Sequence, residues 1–347
     1  MVMTRGKENL RLLDKESLIS WLEQKGYPKF RASQIFNWVW SQAVFDFDQM
    51  INLPKNLRAK LKEEFDIPAV VMADRQKSTD GTEKYGFRLH SGEWVEGVLI
   101  PADDRYTACI SSQAGCSLNC AFCATGKLGL KRNLKAFEIY DQARLVNEAS
   151  QESFGRPLTN IVYMGMGEPL LNYTEVVKSI DLITKTLEFS PRRITVSTAG
   201  IAKAIHRLAD NEVRFNLALS LHAPDDKKRS EIMAINETNS IDILMNALKA
   251  FSKKAKGKIT FEYVMLRGFN DTLQDAEKLV KLASNFPVKV NLIEYNPIDQ
   301  AQYKKAEKDT TFKFAEHLKN KGVMANIRRS RGEDIDAACG QLANKRS

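Results

Sequence analysis

The chain has 347 residues, 43% of them hydrophobic and 27% charged, a balance that excludes disorder, collagen-like repeats and coiled coils. At roughly 150 residues per domain this is two domains' worth, or one extended barrel with a small appendage. Lys and Arg number 52 against 43 Asp and Glu, and the excess of +9 points to a polyanion such as nucleic acid, although a merely soluble basic protein carries the same sign.

The first fifteen residues are charged throughout, and no run approaches the ~18 apolar residues that span a bilayer, so a cytoplasmic protein with no membrane partner is expected. Residues 1–68 read as helical. Leu18, Trp21 and Leu22 recur at helical spacing, Gly26 and Pro28 stop that helix, Ile35, Trp38 and Val39 repeat it, and Pro54 opens a third with Leu57, Leu61 and Phe65. These predict a small accessory domain. Its Lys29, Arg31, Lys55, Arg58, Lys60 and Lys62 suit phosphate or simply a solvated face.

Residues 69–347 form the second predicted unit. It begins with β-like segments at 84–89, 94–100 and 106–111. Helical patterns at 137–150, 174–186, 201–210, 241–252, 273–284 and 311–321 then alternate with apolar runs at 160–164, 193–196, 215–219, 259–265 and 288–293. Each crossover between such strands must return over one face of the sheet, so the strands are parallel. The fold class is α/β, a (βα) partial barrel of about six units with extra β segments before it. Its site belongs at the carboxyl ends of the strands.

Five cysteines, an odd number with three packed between Cys116 and Cys123, point to metal or redox chemistry rather than a disulfide scaffold. Cys116-Ser-Leu-Asn-Cys120-Ala-Phe-Cys123 supplies three soft thiolates that suit iron–sulfur or zinc. A zinc site needs a fourth ligand, for which Cys109 is the candidate. A cubane held by three cysteines leaves one iron open to a substrate, and the C-x3-C-x2-C spacing with an aromatic before its last cysteine is the pattern of radical S-adenosylmethionine (SAM) enzymes. Further along, Met164-Gly165-Met166-Gly167-Glu168-Pro169 ends one strand pattern and brings flexible backbone and a carboxylate suited to an ammonium group. Ser197, then Ser220-Leu221-His222, then Asn296 end later ones with hydroxyl, imidazole and amide groups able to bind ribose, carboxylate and adenine. Each alone is as readily a helix cap or a satisfied polar residue. His222, followed by Ala-Pro, is expected in a loop rather than the core.

Together, CSLNCAFCATGKLGLKRN from Cys116 to Asn133, MGMGEP, SLHAP and the terminal DIDAACGQL resemble the radical-SAM adenine-C2 methyltransferases of 23S rRNA and tRNA, the RlmN family. The resemblance runs from the helical region to Leu342. It implies a 4Fe-4S cluster on Cys116, Cys120 and Cys123, and two SAM molecules per turnover, one as methyl donor and one as radical source. Gly167, Glu168, Ser197, Ser220, Leu221, His222 and Asn296 would bind SAM. It further implies that Cys339 carries the methyl group, that Cys109 is the second catalytic cysteine and that Glu96 accepts a proton. A transient protein–RNA adduct and a disulfide bond between the two catalytic cysteines would follow.

The implied partners are 23S rRNA, tRNA and an electron donor of flavodoxin type, with the enzyme a monomer. Lys127, Lys131, Arg132, Arg328, Arg329 and Arg331 are the basic groups expected to meet phosphate. One departure is Glu294, which stands where the resemblance leads one to expect proline. Two alternatives remain at this level: a C8-adenine methyltransferase of the sister antibiotic-resistance family, against which Pro169 argues, and a zinc-binding RNA-binding protein without catalysis.

Overall fold

The computed structural model describes residues 6–299 and 302–343. The expected domain limits at residues 1 and 347 lie outside them. Three helices come first: α1 (Lys15–Gln24), α2 (Arg31–Phe36) and α3 (Lys55–Glu64). Leu18, Leu22, Ala32, Ile35, Leu57 and Leu61 are fully buried, as their spacing requires. Asp14 caps α1 by accepting from Ser17 N at 2.8 Å.

This bundle is fastened to the remainder by one buried ion pair. Arg11 donates to both carboxylate oxygens of Asp141 at 2.6 and 2.7 Å, with both side chains fully shielded from water. The guanidinium also lies over the rings of Trp40 and Phe137 at 4.5 and 4.9 Å. Asp141 belongs to α4 (Ala136–Phe154), which ends at Gly155 with φ +64°, a left-handed cap that suits glycine.

Ten strands form one sheet in which spatial order follows chain order. An antiparallel meander, β1 (Val71–Lys77), β2 (Glu83–Arg88), β3 (Trp94–Ala102) and β4 (Arg105–Cys109), leads into parallel pairing. Next come β5 (Asn160–Tyr163), β6 (Ile194–Thr198), β7 (Asn216–Ser220), β8 (Ile259–Met265), β9 (Val288–Glu294) and β10 (Met324–Arg328), all parallel to β4. The crossovers carry α4, α5 (Tyr173–Thr186), α6 (Ala202–Asp210), α7 (Asp226–Ile232) with α8 (Ile241–Lys254), α9 (Leu273–Ala283) and α10 (Lys308–Asn320). Seven parallel strands with six crossovers give the radical-SAM (βα) architecture expected from the alternating pattern. The core lies between sheet and helices, where Ile161, Val196, Leu217, Phe261, Val290 and Leu292 are completely buried.

The sheet curls until its ends meet. Asp334, beyond β10, accepts from Ser78 Oγ at 2.6 Å and Thr79 N at 3.2 Å, both in the β1–β2 turn. Asp80 of the same turn accepts from Gly332 N at 3.0 Å. No helix among the described residues is long and apolar enough to cross a membrane.

Removing one partner of a buried ion pair strands the other charge, at a cost of about 3–5 kcal/mol. Arg11→Met should lower unfolding stability by that order in urea titration. The double variant Arg11→Met/Asp141→Leu should recover part of the loss, the remainder reflecting the 3.1 Å bond from Val70 N to Asp141.

Candidate functional site

The carboxyl ends of β4 to β10 surround one cavity. Cys116, Cys120 and Cys123 line it from one side, Gly167 and Glu168 follow β5, and Ser197, Ser220 and His222 stand at the ends of β6 and β7. Asn296 follows β9, and Cys339 faces in from the terminal loop. An adjoining cavity shares Cys123, Asn296, Arg328, Cys339 and Gly340 with the first and adds Cys109, the last residue of β4. The cysteine triplet and the two separate cysteines thus open into one continuous space.

The triplet sits in a loop bounded by the short antiparallel pair Gln113–Gly115 and Leu130–Asn133. Burial pushes the Cys116 thiol up to about 11 and raises Cys120 further, with Cys123 and Cys116 adding to the shift at Cys120. A cationic metal core would offset the cost of forming thiolates at such buried positions. Among the described residues, no three His, Cys, Asp or Glu side chains are gathered closely enough to hold a single metal ion. In a cubane each thiolate binds a different iron, and the soft donor set of this loop fits such a cluster.

Glu168 is 3% exposed and already bonded: it accepts from Ala199 N at 2.6 Å and from Leu170 N at 2.8 Å. Burial raises its pKa to about 7 in spite of those donors. A carboxylate oxygen has a second lone pair, so capacity to accept from an ammonium group remains. The glycines before it serve packing as well as approach to a ligand. A Cβ on Gly167, at φ +95°, would lie 2.4 Å from Gln113 Cβ, and one on Gly165 would lie 2.6 Å from Ser111 Oγ.

His222 departs from expectation, being 6% exposed rather than held in an open loop. Its ring meets Phe122 edge-on at 4.7 Å, and its Nδ1 accepts from Val264 N at 3.1 Å. An accepting Nδ1 puts the proton of the neutral ring on Nε2, leaving a donor for a ligand. Burial, with Arg229 adding to it, pushes the pKa down to about 3, so the ring is neutral at physiological pH. Leu221 is fully buried and absent from the cavity wall. Ser197 Oγ lies 3.3 Å from Ser220 Oγ, and Asn296 Nδ2 donates to Cys339 O at 3.3 Å.

The terminal loop is anchored along its length. Ala124 N donates to Gly340 O at 2.7 Å, Thr125 Oγ1 to Leu342 O at 2.5 Å, and Ala343 N to Glu96 Oε2 at 3.0 Å. Glu96 therefore stands beneath this loop, with Lys84 Nζ 3.8 Å away, and lines neither cavity. The disulfide implied by the resemblance is not found: all five cysteines are free. Cys109 is buried, with its thiol pushed up to about 12 by that burial, whereas Cys339 is exposed on a loop tied elsewhere by its own backbone.

Two residues expected to meet phosphate are committed to carboxylates. Arg132 pairs with Glu93 and Glu138 at 3.1 and 2.7 Å, and Arg328 pairs with the buried Glu262 at 3.3 Å inside the cavity. Burial lowers the Arg328 pKa, but Cys339, Glu262 and Cys109 together turn the net shift upward. Glu262 and Arg229 were missed from sequence. The only signal for Glu262 is one carboxylate in the apolar strand Ile-Thr-Phe-Glu-Tyr-Val-Met. Glu294, at the position expected to be proline, accepts from Ser330 N at 3.2 Å and pairs with Lys305.

Comparison with known proteins agrees with this geometry. Residues 8–67 match the ribosomal RNA large subunit methyltransferase N-terminal domain, and residues 110–283 match the radical SAM superfamily. The chain is 53% identical to a probable dual-specificity RNA methyltransferase RlmN of Cytophaga hutchinsonii, over 98% of this chain and 93% of that one. It is 43% identical to the dual-specificity RNA methyltransferase RlmN of Nautilia profundicola, over 92% and 93%. A crystal structure of a radical SAM methyltransferase from Sphaerobacter thermophilus superposes with a TM-score of 0.89 at 39% identity, covering 96% of this chain and 99% of that one.

The unfolded His222 ring takes its proton near pH 6.5, the folded one only near 3. Its contribution to stability is therefore complete above pH 6.5 and lost as pH falls toward 3, by up to about 1.4 kcal/mol per pH unit. Glu168 acts in the opposite sense, its contribution being full below pH 4.5 and lost as pH rises through 7. His222→Asn keeps an acceptor for Val264 N and tolerates the backbone φ of +57°. Its unfolding free energy should show a shallower acid decline than the parent between pH 6.5 and 4, the difference isolating His222.

Proposed function

We propose, for a chain that belongs to the RlmN family of radical-SAM methyltransferases, that its reaction is methylation of adenine C2 in 23S rRNA and in tRNA with Cys339 as methyl carrier. The enzyme is a SAM-dependent RNA adenine methyltransferase. The observation that supports the finer reading is the continuous space lined by the cysteine triplet, Cys109 and Cys339.

Adenine C2 is electron-poor and has no lone pair, so it cannot take a methyl group from a sulfonium by simple displacement. A soft thiolate can. Cys339, exposed on its loop, accepts the methyl and presents it to the base. When bound, a 4Fe-4S cluster and SAM supply the one-electron chemistry that activates a methyl group which polar attack leaves inert. Cys116, Cys120 and Cys123 hold the cluster in this reading. Glu168 takes the SAM ammonium, while Gly167, Ser197, Ser220, the backbone at Leu221, His222 and Asn296 surround the rest of the molecule. His222 offers Nε2–H as donor and stays neutral.

Carbon–carbon bond formation leaves the RNA linked to Cys339; the family resemblance gives the C2 proton to Glu96, which lies beneath the loop and outside both cavities, so this role requires the stretch from Cys339 to Ala343 to lift from it. Cys109, across the cavity, is the second thiol that product release requires. Exposed Lys127, Lys131, Arg329 and Arg331 at the rim meet phosphate, and the helical domain of residues 1–68 docks RNA against the barrel of 69–347. The proposal includes a monomer in the cytoplasm that receives electrons from a flavodoxin-type donor.

Cys109→Ala should still load methyl and join to RNA, then stall as a covalent adduct of retarded mobility in a denaturing gel. The double variant Cys109→Ala/Cys339→Ala should give no adduct. Normal turnover by Cys109→Ala, an adduct in the double variant, or parent product methylated at C8 by NMR would each contradict the proposal.

A further inference from the structure

Arg229, in α7, is completely buried directly behind the cysteine loop. It donates to the carbonyl of Ala199, to Leu221 O at 3.2 Å, to Asn236 Oδ1 at 2.7 Å, and at 3.4 Å to Ser220 O and Asn239 O. All these acceptors are neutral, and among the described residues no carboxylate forms an ion pair with it. Asp226, one turn earlier on α7, is exposed and accepts from Ile241 N at 2.8 Å; it acts on Arg229 through space without pairing with it. A buried cation with no carboxylate in contact is costly, and proteins seldom keep one without matching it.

Several contacts place this charge against the cysteine loop. Ala121 N donates to Ile232 O at 3.0 Å, joining that loop to the last residue of α7. Ile232 and Met233 pack in one apolar cluster with Ala199, Leu118, Cys120, Ala121 and Phe122. Ala199 and Ser220, whose carbonyls accept from Arg229, line the cavity together with Cys120.

We propose that Arg229 is the fixed counter-charge of the iron–sulfur cluster, setting its reduction potential from behind Cys120. The inference rests on the cluster assigned to Cys116, Cys120 and Cys123 above. A doubly positive cubane core on three thiolates is a net monoanion, and one-electron reduction makes it a dianion. A fixed positive charge favours the more negative state and so raises the potential. The hydrogen bonds of Arg229 are all spent on backbone and Asn236, so its influence on the cluster is through charge.

The test is an anaerobic potentiometric titration followed by electron paramagnetic resonance, with dithionite and mediators as the electron source. Iron and sulfide are assayed first. Arg229→Gln should hold a full cubane yet reduce at a more negative potential than the parent, while the exposed Lys227→Gln should leave the potential unchanged. Arg229→Lys gives a second reading independent of the neutral variant's folding. The charge-conserving Lys variant, titrated at low pH where its ammonium holds its proton, should stay closer to the parent potential than Arg229→Gln does. A cubane-bearing Arg229→Gln at the parent potential, or a Lys227→Gln shift as large as that of Arg229→Gln, would overturn the proposal. A parent protein that binds no cubane would overturn the cluster assignment along with it.

Discussion

The carboxyl ends of the parallel strands are held together by two buried ionic side chains that bond to main chain rather than to each other. Glu168 spans from the loop after β5 to Ala199 N after β6, and Arg229 gathers carbonyls from the loops after β6 and β7. Loop backbone at that depth has donors and acceptors the sheet no longer satisfies, and each one left unpaired would cost about 1–3 kcal/mol. Supplying partners from side chains lets the strands end at different heights and leaves a cavity where a closed barrel would be filled. The positions of Ser197, Ser220 and His222 follow from that framework.

The second constraint is closure by the far end of the chain. The β1–β2 turn grips the segment beyond β10 through Asp80 and Asp334, and Asn296, Thr125 and Glu96 hold the stretch from Cys339 to Ala343. Each such bond is worth about 1 kcal/mol net. The loop is therefore positioned by many small contributions, and a thiol more than two hundred residues from the triplet reaches the same space. Arg328, paired with Glu262, lines that space together with both separate cysteines and adds a positive group to it.

Much of this architecture is legible in sequence. The buried strands at 160–164, 215–219 and 259–265 stand out as largely apolar, β-rich runs, and their helices because charged and apolar positions alternate at helical spacing. What escapes notice has a physical cause. β10 is an edge strand with Met324 and Ile327 exposed, so it lacks the apolar run of a central strand, and α7 reads Asp-Lys-Lys-Arg-Ser-Glu-Ile, which looks like a solvated turn. Arg132 and Arg328 look like phosphate contacts because sequence spacing does not show that Glu93, Glu138 and Glu262 fold against them. For Arg328 the partner is 66 positions away. His222 looks like a loop residue because Ala-Pro follows it, yet Val264 N and Asn270 draw it into the core. The motif that names the chemistry is local, whereas the groups that set its electrostatics come from distant strands.

The central claim is that the methyl group passes through a protein thiol. It is tested most directly by incubating the reconstituted enzyme with SAM in the absence of RNA and mapping the peptides by mass spectrometry. The account predicts one added methyl on Cys339 and none on Cys339→Ala, with RNA methylation lost in that variant. RNA methylated at the parent rate by Cys339→Ala would contradict it.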